Sequence, residues 1–194
     1  MSALADLLSG PVEDVAPRLL GATLRHGDVA LRVTEVEAYD GPNDPASHAF
    51  RGRTARNAVM FGPAGHLYCY LSHGIHTCAN VSMGPEGRPS GILMRAGEVV
   101  DGLDLARANR PGAPDRDLAR GPGRLCRALG IRLDHDGTDL TNGAVTLTPG
   151  PPVATVVRGP RTGVRLAAER PWRAWIEGDP TVSPYRRHPR GEGY

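Results

Sequence analysis

The sequence contains no lysine; all 23 of its basic residues are arginine. Catalysis through a lysine Schiff base is therefore excluded, which leaves the chain's α-amine for such an adduct. A compositional bias of the genome would produce the same absence. The cationic chemistry that remains is arginine's, suited to planar, bidentate contact with phosphate. The three cysteines, Cys69, Cys78 and Cys126, are odd in number and form no CxxC pair. That argues against a disulfide scaffold and fits a reducing compartment. No run approaches 18 consecutive apolar residues, so a transmembrane helix is not expected. The first residues, Met1-Ser2-Ala3-Leu4-Ala5-Asp6, lack the basic start of a secretory signal. A cytoplasmic protein with no membrane partner is the expectation.

What is present suits one domain over residues 1–194, with 40% hydrophobic residues available for a core. The 25 glycines and 18 prolines predict a loop-rich chain rather than a helical bundle. Net charge is only +2, but it is unevenly spread. Residues 1–50 hold three arginines against eight acids, and residues 51–194 hold twenty against thirteen. That asymmetry permits an anionic partner on one face.

Helices are expected over 2–8, 12–20, 102–109 and 122–129. The last has Pro122 at its first position and Gly130 just past its end. Strands are expected over 22–25, 29–39, 66–72, 76–82, 91–100, 144–148, 153–158 and 173–177. Residues 40–57 form a long, turn-rich, basic loop of the kind that carries function. Strands and helices do not alternate regularly, which disfavours a parallel βαβ fold. An α+β fold is predicted, a mainly antiparallel sheet with short helices and long loops.

In Val33-Thr34-Glu35-Val36-Glu37-Ala38-Tyr39, strand alternation puts Glu35, Glu37 and Tyr39 on one face. These acids either face water or stand beside the aromatic ring in a half-buried site. Two carboxylates about 5–5.5 Å apart would suit a retaining glycosidase. The following loop holds His48 and then Arg51, Arg53 and Arg56, a spacing that matches phosphates better than core packing. The stretch Tyr68–Asn80 concentrates two of the five tyrosines, two of the seven histidines and two of the three cysteines. His73, His76 and Cys78 are conceivable metal ligands. No second cluster has zinc-like spacing, however, and Cys78 reads more simply as a buried thiol, so no metal and no other cofactor is expected. The tyrosines offer flat faces to a planar ligand. Arg95 interrupts apolar Ile92-Leu93-Met94, so it is either an exposed edge residue or buried against a partner. Gly121-Pro122-Gly123 opens a helix with Arg124 and Arg127 in its first turns, a plain cap or a phosphate site.

In this order and spacing the blocks resemble the alkyladenine (methylpurine) DNA glycosylase family. The matching stretches are Glu35 to Tyr39 with Gly41-Pro42 and His48, Arg53 to Asn57 with Met60-Phe61, Gly65 to Tyr70, Gly74 to Asn80, Leu93-Met94-Arg95, and Gly121 to Cys126. The likeness runs from about residue 12 to about residue 183. It implies a single-domain, cofactor-free hydrolase that flips damaged purines out of double-stranded DNA and leaves an abasic site. By this resemblance Glu37 is the general base, and Arg95 helps to hold the attacking water and a phosphate. Tyr39, His48 and Tyr70 sandwich the flipped base, with Leu93 also in the base-binding set. Asn80 crowds the exocyclic amine of a normal guanine, and Glu35 is secondary and structural. Arg53, Arg56 and Arg124 contact DNA, and His73 wedges into the gap. The implied partner is DNA carrying damaged purines, bound by a monomer on the nucleoid.

Two departures stand out. The family usually has Tyr where His73 stands, and Pro where Ala55 stands. The small net charge predicts modest non-specific DNA affinity. The alternatives are a damaged-DNA recognition protein that does not cut, a hydrolase of small N-glycosides, and a metal enzyme using His73, His76 and Cys78. With no lysine in the chain, borohydride trapping on lesion-bearing DNA is expected to give no covalent adduct. A robust adduct would identify an α-amine lyase instead.

Overall fold

The computed structural model describes residues 3–190. Its framework is one eight-stranded sheet in which every pairing is antiparallel. The strands are β1 (Thr23–His26), β2 (Val29–Tyr39), β3 (Leu67–Ser72), β4 (His76–Met83), β5 (Ser90–Asp101), β6 (Val145–Thr148), β7 (Val156–Gly159) and β8 (Arg173–Ile176). Their order is β3-β4-β5-β2-β1-β6. β2 is the centre. β5 pairs along one edge of it, while β1 takes residues 29–32 and β8 takes residues 35–37 of the other. β7 extends the sheet beyond β8. The helices are short: α1 (Ala3–Leu7), α2 (Val12–Val15), α3 (Leu103–Asn109) and α4 (Pro122–Leu129). The α+β architecture on a mainly antiparallel sheet is therefore the one expected. Among the described residues no helix is long and apolar enough to cross a membrane.

One expected element differs in kind. The helix expected over 12–20 is α-helical only over Val12–Val15 and continues as a 3-10 turn over Ala16–Leu19. Pro17 accounts for this, because it has no N–H for the carbonyl of Glu13 and its ring crowds that turn. The helix expected over 2–8 is α1; Ser2 lies outside the described residues. α4 opens on Pro122 and closes on Gly130, whose φ of +70° gives the left-handed cap that ends such helices.

Side-chain alternation in β2 changes phase midway. Leu31 and Val33 face the core, and so do Val36 and Ala38. Between the two pairs the β2–β5 register steps twice, and Thr34 and Arg95 fall between paired positions. Such a bulge re-aims every side chain beyond it. With an unbroken alternation Glu35 and Glu37 would share the face of Leu31 and Val33 and enter the apolar core. The core face is completed by Val81 and Met83 of β4, Ile92 and Met94 of β5, and the apolar sides of α2 and α4.

The opposite face of β3, β4, β5 and the second half of β2 carries the polar and aromatic residues singled out in the sequence. A small second cluster of Ala49, Met60 and Tyr68 anchors the chain between β2 and β3 over this face. Asn57 knots the same stretch, donating from Nδ2 to the carbonyls of His48 (2.9 Å) and Gly52 (3.0 Å) and accepting from the Thr54 N–H (2.6 Å). The stretch begins at Gly41, with φ +46°, where a Cβ would overlap the Pro89 carbonyl oxygen. Gly41→Ala is therefore expected to destabilise the fold by about 2–4 kcal/mol, combining left-handed strain with a backbone overlap. Urea unfolding checks this, and an unchanged midpoint would show that the close approach is unimportant.

Candidate active site

Glu35 and Glu37 are both completely buried, which excludes the reading in which they face water. Burial of a carboxylate demands donors. Glu35 has four: Arg95 Nε (2.9 Å), Arg173 Nε (2.6 Å), the Ser183 N–H (2.7 Å) and Ser183 Oγ (2.9 Å). Burial pushes its carboxyl up, but Arg95, Arg173 and Ser183 together hold it below its ordinary value of 4.5. Glu37 accepts three bonds, from the Tyr39 hydroxyl (2.8 Å), Arg95 Nη1 (3.2 Å) and the Thr162 N–H (2.6 Å). Arg95 thus bridges the two acids. It is buried and paired, which settles the alternatives left open in the sequence. Burial pulls its guanidinium down, yet Glu37 and Glu35 raise it above the ordinary value, so it is always charged.

Above this network lies a cavity of about 630 Å³, within the range of sites that take small molecules or cofactors. Tyr39, Arg95 and Thr162, the three donors to Glu37, all line it. Its aromatic wall is built by register: Tyr68 and Tyr70 project from β3 on the same side, stacked at 5.7 Å, and His48 meets Tyr70 edge-on at 4.4 Å. His48 Nδ1 is 3.1 Å from the Tyr68 hydroxyl. Burial and the neighbouring Arg56 lower the His48 value, so the ring is neutral at neutral pH. Burial pushes the Tyr68 hydroxyl up to about 12. Burial also raises Tyr39, reinforced by Glu37, and Tyr70, reinforced by Cys78. All three phenols therefore stay protonated.

The structure brings most of the sequence-derived candidates to this cavity: Tyr39, His48, Arg56, Tyr70, His73, Asn80, Leu93 and Arg95 line it. Glu37 lies directly beneath it, behind its three donors. Asn80 and Leu93 face each other across β4 and β5. Asn80 Nδ2 donates to the Tyr68 carbonyl (3.1 Å), which fixes its amide. Arg56 stacks over Tyr70 at 5.7 Å and donates to the Leu71 carbonyl (3.3 Å). His73 stands at the cavity rim in the exposed β3–β4 turn with φ +52°, and Ile75 in the same turn is 72% exposed. Arg53 and Arg124 are exposed and outside the cavity lining. Cys78 is buried on the wall while His73 and His76 are exposed. Among the described residues no three or more His, Cys, Asp or Glu side chains form a metal-holding group.

Sequence reasoning missed the contribution of residues 161–186. Arg161 is buried, clasps both oxygens of Asp44, donates to the Ala38 carbonyl (3.0 Å), and lies over the rings of Tyr39 (4.7 Å) and Trp172 (5.2 Å). It thereby braces the cavity side chain Tyr39 and presents its neighbour Thr162 to Glu37. Arg173 and Ser183 complete the Glu35 shell. Within 161–186 the described chain has only one short strand, β8, at the place expected for it, and the rest has no periodicity to read. The arginines at 161 and 173 were indistinguishable from solvated charge.

The model of the Methylpurine-DNA glycosylase (MPG) family matches residues 6–180. The chain is 57% identical over 188 residues to a protein of Nocardia farcinica, an alignment covering 92% of this chain and 89% of that one. It is 54% identical to a protein of Streptomyces avermitilis (94% and 91% covered). To a protein of Mycolicibacterium paratuberculosis it is 52% identical (97% and 95% covered). All three carry the name "Putative 3-methyladenine DNA glycosylase".

Because the folded Glu35 value is depressed, its stabilisation is complete above the ordinary carboxylate value and is lost as pH falls through the lower folded one. Glu35→Gln leaves Arg95 and Arg173 short of a buried counter-charge. It is expected to lose about 3–5 kcal/mol at neutral pH and to flatten the stability profile below pH 4.5. Urea midpoints across that interval check this; parallel profiles for parent and variant would contradict it.

Proposed function

Because the chain belongs to the methylpurine-DNA glycosylase family, we propose that it hydrolyses the N-glycosidic bond of alkylated or otherwise damaged purines in double-stranded DNA. The observation that carries this reading is the placement of Glu37, a buried carboxylate whose three donors all line an aromatic-walled cavity. A carboxylate has about four acceptor sites. With three occupied, one remains for a water between Glu37 and the cavity.

The target base must leave the stack to be reached. In this reading the nucleotide swings into the cavity and the purine packs between Tyr39 on one side and His48 and Tyr70 on the other. Asn80 and Leu93 meet its edge, and Asn80 disfavours the exocyclic amine of normal guanine. His73, beside exposed Ile75, occupies the space vacated in the duplex. Arg53, Arg56 and Arg124 hold the DNA backbone.

The water attacks C1′ of the sugar and the C1′–N bond breaks, its electron pair leaving with the purine. Glu37 takes the water's proton and, as the bond loosens, stabilises the positive charge on the sugar. An N-alkylated purine already carries a positive charge and leaves as a neutral base, so one carboxylate suffices. Arg95 orients Glu37 and the water and faces a phosphate. The enzyme works as a monomer in the cytoplasm on chromosomal DNA.

Single-turnover base release tests the reading on duplexes carrying 3-methyladenine, 7-methylguanine, hypoxanthine or ethenoadenine, with chelator present. The parent is expected to release at least one of these bases. Glu37→Gln is expected to slow release by about 10²–10⁴-fold or more while still binding the duplex. Turnover by the variant at the parental rate would remove Glu37 from its role. Tight binding with no release by the parent would favour the recognition protein.

A further inference from the structure

Three arginines stand at the mouth of the cavity, Arg56 from the chain before β3 and Arg165 and Arg186 from the C-terminal part. They occupy opposite walls. Arg56 lies against Tyr70 and Leu71 of β3, whereas Arg165 follows Thr162, which caps Glu37 of β2, and Arg186 is tied to the same place by its backbone bond to Gly163. β4 and β5 lie between. No carboxylate lines the cavity among the described residues. Arg165 and Arg186 are both exposed, and among the described residues neither guanidinium has a hydrogen bond or ion pair.

Their free side chains contrast with the fixed backbone that carries them. The Arg186 carbonyl accepts the Gly163 N–H (2.8 Å), tying the two segments together at the mouth. Ser183, three residues earlier, is held by Glu35 and Arg173 inside the buried network. Ser183 and Arg186 also lie beyond the residues matched by the family model, which end at 180. An unpaired guanidinium on a pinned backbone, at a cavity whose lining holds no acid among the described residues, is free to take an anion. A nucleotide whose base is inside the cavity carries a phosphodiester on each side of its sugar, at the mouth.

We propose that Arg165 and Arg186 bind backbone phosphates of the DNA strand entering the cavity, opposite Arg56. The proposal rests on the reading of this cavity as the site of an extruded nucleotide. It gives the segment after β8 a role in holding substrate as well as in completing the Glu35 shell.

The test measures duplex affinity by anisotropy over a range of salt for the full chain and for Arg165→Ala, Arg186→Ala and the double variant. Arg25→Ala serves as control, its guanidinium pairing with Asp101 at the far end of the sheet. On a lesion duplex each cavity-mouth variant is expected to weaken binding tenfold or more at low salt. The log–log salt slope should become shallower by about 0.9 per lost phosphate contact. On undamaged duplex the change should be smaller, because no nucleotide enters, and Arg25→Ala should match the parent throughout. A double variant with parental slope and affinity would overturn the proposal, as would equal losses on damaged and undamaged duplexes. Base release by the parent is followed in the same samples. Absence of release with a slope that still responds to the variants would sink the catalytic reading and leave the phosphate contacts standing. Failure of the parent to bind DNA would overturn both.

Discussion

The structure depends on a buried cluster of two carboxylates and two guanidiniums, Glu35, Glu37, Arg95 and Arg173. Taking four charges out of water is expensive, and such clusters persist only when each group has complementary partners. Here Glu35 is saturated, and Arg95 reaches from it to Glu37. The result is one acid enclosed by its donors and a second that is linked to it, through a shared arginine, at the floor of the cavity. Adjacent acids on the same strand face thereby acquire different surroundings, one a shell of four donors and the other a shell of three donors that all line the cavity.

The cluster exists because the β2–β5 register steps at Thr34 and Arg95. Before the step, odd-numbered residues of β2 enter the apolar core; after it, even-numbered ones do. The same irregularity that turns the acids toward the site also leaves Arg95 between paired positions, where its side chain reaches both. The rigid sheet supplies the floor and the aromatic wall. The remaining walls come from irregular chain fixed by single polar anchors: Asn57 for the stretch before β3, Asp44 with Arg161 for its junction with the C-terminal part, and Ser183 for the tail.

Much of this was legible in the sequence, for identifiable reasons. β3, β4 and β5 lie between turns marked by Gly65, Gly74, Gly84 and Gly102, and α4 is bracketed by Pro122 and Gly130, so these elements lie within a residue or two of expectation. Strand alternation put Glu35, Glu37 and Tyr39 on one face of β2, whereas Tyr70, Asn80 and Arg95 joined them through the family resemblance. The limits were physical as well. Burial of Glu35 depends on Arg173 and Ser183, which are 138 and 148 residues away in sequence, and no local pattern encodes a partner at that distance. The bulge has no side-chain signature of its own. Arg161, Arg165 and Arg186 lie in Pro- and Gly-rich chain without periodicity, where a buried clasp and a free surface charge look alike.

The central claim is that an extruded nucleotide places its glycosidic carbon beside Glu37. The most direct measurement is a crystal structure of the Glu37→Gln variant bound to a duplex containing one ethenoadenine. The account predicts the modified purine between Tyr39 and the His48–Tyr70 pair, with C1′ facing residue 37 across a single water. A lesion still stacked in the duplex, or a base bound with its sugar turned away from residue 37, would contradict it.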